Sequence, residues 1–211
     1  MTDTKIDSGP RETGGECAAS PAGPPTIWNV PNLFTALRFV LSVVVFVMIP
    51  LGFYSTALVV FVIAASTDWV DGYWARRFDQ VTRLGRIFDP FVDKIIICGV
   101  FIFLASEEGS GVFAWMAVVV VARELLVTAL RGFIEQRGGD FSAKMSGKLK
   151  MVFQCIAVGI SLFVLADPTQ AQRLGFEWWL PLAVWAAVLL TIYSGTQYVV
   201  VAFRLLRRPQ V

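Results

Sequence analysis

The residues best suited to chemistry in this chain are four aspartates in one short segment. Together with two glycines, an alanine and an arginine they follow the pattern Asp68-x2-Asp71-Gly72-x2-Ala75-Arg76-x8-Gly85-x3-Asp89-x3-Asp93. Steps of three and four residues return to the same side of an α-helix, so the pattern predicts two helices that each carry carboxylates on one face. If those faces meet, bound cations must offset the repulsion between the carboxylates.

The donor atoms of this segment indicate the kind of metal and reaction. Carboxylate oxygens without histidine or thiolate suit Mg²⁺, Mn²⁺ or Ca²⁺. Four carboxylates favour two ions about 3.5–4 Å apart, an arrangement that serves phosphoryl displacement. Arg76 shares the face of Asp68 and can bind phosphate oxygens, while Gly72 and Gly85 leave room for a substrate beside the helix backbone. The alternative is a solvated acidic loop that caps two helices, but a loop does not require helical spacing in both halves.

The elements that must position these aspartates are predicted to be membrane helices. The chain has 211 residues, of which 56% are hydrophobic, and its mean hydropathy is +0.65. These values predict an all-α integral membrane protein. Apolar runs that approach the ~20 residues of a spanning helix lie at 34–53, 55–75, 91–106, 112–132, 149–166 and 178–203. An aspartate in the middle of a membrane helix costs roughly 2.5–3.5 kcal/mol, which favours a functional role for the four carboxylates.

Basic residues predict the orientation in the membrane. Lys and Arg are concentrated around the aspartates, between Arg131 and Lys150, and at the C-terminal end, whereas the loops near 50–55, 106–111 and 167–177 contain one Arg and no Lys. Because Lys and Arg collect on the cytoplasmic side, we expect both termini and the aspartates on the cytoplasmic side of a bacterial inner membrane.

The rest of the composition predicts the domain organisation and excludes several kinds of catalytic chemistry. Residues 1–26 are polar and rich in Gly, Pro, Ser and Thr, which predicts a disordered tail before one membrane domain at 27–208. Cys17, Cys98 and Cys155 have neither pairing nor metal spacing. The chain contains no histidine, which excludes His-based acid–base catalysis, phosphohistidine intermediates and the usual zinc sites. We expect no nucleic-acid partner.

The complete aspartate pattern resembles the signature of the CDP-alcohol phosphotransferase family, with every position present at its expected spacing. The resemblance implies six membrane helices, a homodimer, and transfer of a phosphatidyl or similar group from a CDP-linked donor to an alcohol with release of CMP. The metal ligands that it implies, for two Mg²⁺ or Mn²⁺ ions, are Asp68, Asp71, Asp89 and Asp93. The implied contacts to the donor are Gly72, Arg76, Thr82 and Gly85. In this family pattern Asp93 is also the base that activates the acceptor hydroxyl.

A second resemblance concerns the first helix. The segment from Trp28 to Arg38 is similar to the amphipathic entry of the bacterial phosphatidylglycerolphosphate synthases, a branch of that family. Within it, Asn32, Thr35 and Arg38 follow one another at steps of three and form a polar stripe. We interpret the stripe either as an interfacial anchor or as a wall of the donor site, with Asn32 and Thr35 as donor contacts.

Basic residues in and after the fourth apolar run predict the acceptor. Arg123 and Arg131 are eight residues apart and share a helix face, whereas Glu124 is expected to turn aside. The run from Ser142 to Gln154 is similar to the Gly-Lys-x-Lys-x-x-x-Gln segment of the same synthases. The predicted contacts to the acceptor phosphate are Arg123, Arg131, Lys144 and Lys148. Two other interpretations stay open: mutual neutralisation of Arg123 and Glu124 for structural reasons, and the general preference for basic residues on the cytoplasmic side.

The two resemblances, together with the basic residues, imply transfer of a phosphatidyl group from CDP-diacylglycerol to glycerol 3-phosphate within the lipid bilayer, in phospholipid biosynthesis. One alternative is a sister activity on the same fold, with phosphatidylglycerol or inositol phosphate as the acceptor. An alternative of another class is a six-helix cation transporter, because intramembrane carboxylates also line ion pathways. Inverted repeats and discontinuous helices, which are typical of many transporters, are not evident in the sequence.

Overall fold

The described part of the chain is entirely helical. The computed structural model describes residues 30–78, 83–136 and 145–206, and these residues form helices and turns without a strand. The helices are α1 Val30–Met48, α2 Tyr54–Phe78, α3 Arg83–Leu104, α4 Ala114–Gln136, α5 Met145–Ala166, α6 Pro168–Arg173 and α7 Phe176–Leu206. The six long helices correspond to the six predicted apolar runs. The predicted tail at 1–26 lies outside the described residues.

Two helix boundaries differ most from the prediction, the end of α1 and the start of α3. Helix α1 ends at Met48 rather than at 53, because Pro50 lacks the N–H that a continuing helix needs and Gly52 adopts a φ of 77°. Helix α3 begins at Arg83 rather than at 91. The hydropathy boundary was too late because the polar half of the aspartate pattern is helical as well.

The stretch 167–177, expected to be a loop, contains the short helix α6. Asp167 caps this helix, because its Oδ1 accepts hydrogen bonds from Gln170 N at 3.0 Å and from Thr169 Oγ1 at 2.6 Å. Pro168 occupies the first turn, where a missing N–H costs no hydrogen bond. Hydropathy alone could not show this helix, because it depends on a polar cap.

The long helices pack as two connected groups. Helix α1 lies against α2 and α3, and α7 lies against α4 and α5, while contacts of α2 with α5 and of α3 with α4 and α5 join the groups. The shared core contains fully buried side chains such as Phe61, Phe101 and Leu162. Gly99 permits the close approach of α1 to α3, because a Cβ at this position would lie 2.2 Å from Phe46 Cζ.

Successive long helices run in opposite directions, which gives the bundle two distinct ends. At one end, named the opposite end, the α1–α2 turn meets the α3–α4 connection, and Tyr54 Oη donates to Glu107 Oε2 at 2.7 Å. Ser161 Oγ donates to Ser110 O at 2.7 Å at the same end. The other end, named the motif end, contains the end of α2, the start of α3, the end of α4 and the start of α5.

Polarity in the bundle is inverted relative to a soluble protein. Large apolar side chains such as Val118 and Leu125 point outward, each with 66% of its surface exposed, while Arg123, Gln154 and Thr191 are buried. Extensive exposed apolar surface marks contact with a membrane or another protein. Within the described residues, two stretches are long and apolar enough to cross a membrane, Leu149–Ala166 and Phe176–Arg204. Shorter apolar stretches occur in α1, α2 and α3.

Candidate active site

Both halves of the aspartate pattern are helical, as the spacing predicts. Asp68, Asp71, Gly72 and Arg76 lie in the C-terminal half of α2, and Gly85, Asp89 and Asp93 lie in the N-terminal half of α3. Their side chains are outside the described part of the structure, and Thr82 lies outside the described residues. The helices therefore bring the two halves of the pattern to the motif end, and the metal-ligand and donor-contact assignments stay predictions.

A buried group of charges, named the ion cluster, consists of Arg123 and Glu124 on α4 and Lys150 on α5. Glu124 Oε1 accepts hydrogen bonds from Arg123 Nη1 at 3.1 Å and from Lys150 Nζ. Each of the three residues has less than a tenth of its surface exposed. Because one carboxylate faces two cations, the ion cluster carries a net positive charge.

The expectation that Glu124 turns aside from Arg123 was wrong. Adjacent helix positions diverge, yet Glu124 is buried beside Arg123, because Lys150 on α5 draws its carboxylate inward and the long Arg123 side chain reaches the same oxygen. Arg123 and Glu124 therefore do form the ion pair that one of the earlier interpretations predicted. It leaves the second cation, Lys150, without a carboxylate of its own in the ion cluster.

Helix α7 covers one side of the ion cluster, a contact that the sequence did not predict. Arg123 Nη2 donates to Ser194 Oγ at 3.0 Å, and the Arg123 guanidinium carbon lies 5.7 Å from the centre of the Tyr198 ring. Gln154 Nε2 donates to Thr191 Oγ1 at 2.9 Å, which extends the polar contact between α5 and α7. Only the small polar residues within an apolar run pointed to this face of α7.

Further positive charge surrounds the ion cluster. Arg131 on α4 lies near enough to Arg123 for the two charges to repel each other. The Nε atoms of Arg123 and Arg131 are buried without a hydrogen-bond partner. Buried donors without partners carry a free-energy cost of about 1–3 kcal/mol each, so this region is suited to bind an anion.

The ion cluster lies next to the helix that carries Asp89 and Asp93. Lys94, which directly follows Asp93 in α3, is near enough to Lys150 for their charges to repel. Helix α3 also contacts α4 and α5, and α2 contacts α5. The backbone segments of the aspartate pattern and the ion cluster are therefore neighbours at the motif end.

The polar stripe of α1 faces the interior of the bundle. Thr35 and Arg38 are buried, and Ser42 continues the stripe with a hydrogen bond from its Oγ to Arg38 O at 2.7 Å. Leu37 and Val40 on the same helix are exposed. Val30–Met48 form one continuous helix, so a separate interfacial segment at its start is not confirmed. Thr35 and Arg38 face inward, and the role of Asn32 and Thr35 as donor contacts stays a prediction.

The remaining predicted contacts are only partly described. The side chains of Asn32 in α1 and Lys148 in α5 are outside the described part of the structure, and Lys144 lies outside the described residues. Of the predicted acceptor residues, Arg123 and Arg131 are described: Arg123 belongs to the ion cluster, and Arg131 lies near it. Cys98 and Cys155 form no disulfide within the described residues.

Comparison with known proteins identifies the family. A model of the CDP-alcohol phosphatidyltransferase family matches residues 28–193. The chain belongs to this family. The matched residues include the whole aspartate pattern, the ion cluster and Arg131, whereas Ser194 and Tyr198 of α7 lie just beyond the match.

Several relatives in this family have the same name, CDP-diacylglycerol–glycerol-3-phosphate 3-phosphatidyltransferase. The Bacillus subtilis protein is 33% identical over 188 residues, which cover 82% of this chain and 94% of the relative. The Pseudomonas fluorescens protein is 38% identical over 113 residues, covering 52% of this chain and 58% of the relative. The Haemophilus influenzae protein is 28% identical over 180 residues, covering 83% and 94%.

Proposed function

We propose that this CDP-alcohol phosphatidyltransferase transfers a phosphatidyl group from CDP-diacylglycerol to glycerol 3-phosphate, with phosphatidylglycerol phosphate and CMP as products. The observation that carries the proposal is the position of a net positive, buried ion cluster beside α3, the helix that contains Asp89 and Asp93. The names of the relatives support the same donor and acceptor.

On the donor side, the proposal assigns diphosphate chemistry to the aspartate pattern. The donor set consists of oxygen ligands alone, which fits hard divalent cations such as Mg²⁺ or Mn²⁺. When bound by Asp68, Asp71, Asp89 and Asp93, two such ions would neutralise the diphosphate and favour departure of CMP. Gly72, Arg76, Thr82 and Gly85, with Asn32 and Thr35 on α1, would bind the nucleotide and the diphosphate of the donor.

The covalent step exchanges one phosphorus–oxygen bond for another. The C1 hydroxyl oxygen of glycerol 3-phosphate forms a bond with the β-phosphorus of CDP-diacylglycerol, and the bond from that phosphorus to the bridging oxygen of CMP breaks. Asp93 accepts the hydroxyl proton as the general base. CMP leaves with the electron pair of the broken bond.

On the acceptor side, the proposal assigns the phosphate of glycerol 3-phosphate to the cations beside α3. Arg123 and Arg131 both have buried Nε donors without a partner, and guanidinium groups match phosphate geometry. Lys144 and Lys148 would add charge from the start of α5 and the segment before it. A neutral alcohol gives no reason for an excess of buried cations, whereas a phosphorylated alcohol compensates their charge.

The proposal places the six long helices across a lipid bilayer. Exposed apolar faces and buried polar residues support this arrangement, and Trp178 and Trp179, exposed at the start of α7, suit a membrane interface. The distribution of basic residues supports a motif end on the cytoplasmic side of a bacterial inner membrane. We also propose a homodimer, on the basis of the family resemblance alone.

An acceptor panel tests the proposed function. Purified full-length protein in detergent receives CDP-diacylglycerol, Mg²⁺ and one acceptor at a time, and CMP release is measured with glycerol 3-phosphate, phosphatidylglycerol, inositol phosphate and glycerol. We expect the highest kcat/KM with glycerol 3-phosphate. A preference for another acceptor would refute the choice of glycerol 3-phosphate, and absence of acceptor-dependent CMP release would refute the transferase assignment. Because detergent solution holds no gradient, acceptor-dependent release would also exclude ion transport as the main activity.

A further inference from the structure

Helix α7 contacts Arg123 through three residues, Ser194, Gly195 and Tyr198, named the α7 contact site. None of them belongs to the aspartate pattern or carries charge, and the mechanism above assigns them no role. Arg123 is the one residue predicted to bind the acceptor phosphate whose hydrogen bonds the structure describes. The α7 contact site therefore helps to determine the position of the Arg123 guanidinium.

Gly195 determines how closely the Arg123 side chain can lie against α7. A Cβ at position 195 would be 3.0 Å from Arg123 Cγ, a tighter approach than ordinary van der Waals contact. The aliphatic part of Arg123 thus occupies space that is free only because this residue is glycine. By contrast, a Cβ at Gly159 of α5 would meet no atom within 4 Å.

Ser194 fixes the far end of the Arg123 side chain. Its hydroxyl donates to Thr191 O at 3.1 Å, so the proton of the hydroxyl is engaged and a lone pair is available to Arg123 Nη2 at 3.0 Å. The opposite side of the guanidinium donates through Nη1 to Glu124 Oε1. With both Nη atoms fixed, the orientation of the buried Nε is determined as well.

Tyr198 contacts the guanidinium through its aromatic ring. The distance of 5.7 Å from the Arg123 guanidinium carbon to the ring centre lies within the range of cation–π contacts. Such a contact restrains the guanidinium without using any of its N–H donors. Contacts of this kind leave the remaining donor capacity of Arg123 for a ligand.

We propose that the α7 contact site positions the Arg123 guanidinium for the phosphate of the acceptor, a proposal that rests on the proposed function. Arginine has several rotatable bonds, and ordering it on binding costs conformational entropy. If α7 holds the side chain in advance, that cost does not reduce the affinity for the acceptor. Ser194, Gly195 and Tyr198 act as positioning residues, because they act on the acceptor through Arg123.

A matched pair of glycine variants tests the proposal. CMP release is measured with purified full-length protein, Mg²⁺ and variable concentrations of each substrate, for wild type, Gly195→Ala and Gly159→Ala. We expect Gly195→Ala to raise KM for glycerol 3-phosphate about tenfold, the size of one lost hydrogen bond to a charged group. KM for CDP-diacylglycerol stays unchanged in this variant, and Gly159→Ala leaves both KM values unchanged.

A second pair of variants preserves the test if Gly195→Ala does not fold. Ser194→Ala removes the hydroxyl that accepts from Arg123, and Ser161→Ala removes a buried hydroxyl that bonds to a carbonyl at the opposite end. We expect a selective rise in KM for glycerol 3-phosphate in Ser194→Ala only. Ser194→Thr, which retains a hydroxyl, restores the wild-type KM.

The outcomes separate this proposal from the proposed function. If wild type turns over glycerol 3-phosphate but Gly195→Ala and Ser194→Ala keep its KM, the positioning role is refuted and the proposed function stands. Equal losses for both substrates would also refute the positioning role, because they indicate a structural role alone. If wild type does not use glycerol 3-phosphate, the proposed function fails, and the positioning role fails with it.

Discussion

The two ends of the bundle use polar side chains in different ways. At the opposite end, each hydroxyl donates to a single acceptor on another part of the chain: Tyr54 to Glu107, and Ser161 to the backbone of Ser110. At the motif end, Arg123 and Lys150 share a single carboxylate oxygen of Glu124. Within the described residues, the opposite end thus pairs single hydroxyls with single acceptors, whereas the ion cluster at the motif end holds two cations against one carboxylate.

This difference separates polar residues that stabilise helix packing from polar residues that we propose bind a ligand. A hydroxyl that bonds to a nearby carbonyl stabilises helix packing and requires no ligand. Buried charges carry a desolvation penalty that a pair offsets only with good geometry, so an unbalanced cluster indicates a site that an anionic ligand completes. Among the described residues, polarity by itself does not separate a candidate site from packing contacts, whereas two cations that share one carboxylate do mark the proposed acceptor site.

The largest effect is expected at the aspartate pattern. Asp93→Asn removes the proposed base while the helix is retained, and we expect CMP release to fall about a thousandfold, within the range for loss of general base catalysis. Binding of CDP-diacylglycerol is retained. The measurement is CMP release together with donor binding to the purified variant.

Ser161→Ala at the opposite end provides the control for this loss. Its hydroxyl contacts only the Ser110 carbonyl in the described structure, so we expect wild-type turnover. Turnover by Asp93→Asn close to that of wild type would contradict the base assignment, and a loss of activity in Ser161→Ala would remove the functional distinction between the two ends.

An intermediate effect is expected for the two glutamates. Glu124→Gln leaves Arg123 and Lys150 buried without a compensating charge, and loss of one partner of a buried ion pair costs about 3 kcal/mol or more of stability. Glu107→Gln retains an oxygen that accepts from Tyr54, and we expect a loss of less than about 1 kcal/mol. Unfolding in mixed micelles gives both values.

Equal destabilisation by the two glutamate substitutions would show that the second cation of the ion cluster has no special cost for stability. Lys150→Met combined with Glu124→Gln supplies a further check. Removing the second cation together with the carboxylate should recover part of the stability, because fewer uncompensated charges remain buried.

The smallest effect concerns the cap of α6 at the opposite end. Hydrogen bonds from the Thr169 hydroxyl and from the Gln170 N–H lower the pKa of Asp167 below its ordinary value of 3.8. A lowered pKa in the folded state adds stability above the ordinary value, and this stability is lost as the pH falls through the folded value. Asp167→Ala should therefore lower Tm slightly at pH 7, and the difference from wild type should disappear in acid. A difference that persists unchanged in acid would contradict the charged cap.

The helical conformation of both halves of the aspartate pattern and the number of long helices could be predicted from the sequence, because both depend on local spacing. Steps of three and four residues between Asp68 and Arg76 specify a helical face, and apolar runs specify the long helices. Helix ends were less predictable: hydropathy extended α1 beyond Pro50 and omitted the polar start of α3.

Contacts between distant residues account for what the sequence could not show. Ser194 lies 71 residues from Arg123, and Lys150 lies 26 residues from Glu124. Serine and glycine are common in apolar helices, so neither Ser194 nor Gly195 differs by type from residues that only pack. Glu124 is buried because Lys150 on α5 contacts its carboxylate. The spacing of residues within α4 gives no information about this contact with another helix.

Binding of glycerol 3-phosphate to the ion cluster is the most direct test of the account. The ligand is titrated calorimetrically into purified wild type and Arg123→Gln with Mg²⁺ present, and CDP-diacylglycerol binding serves as the control for folding. We expect Arg123→Gln to weaken glycerol 3-phosphate binding at least about tenfold, as for a lost charged hydrogen bond, while donor binding is unchanged. Equal affinity of the two proteins for glycerol 3-phosphate would contradict the proposal that the ion cluster binds the acceptor phosphate.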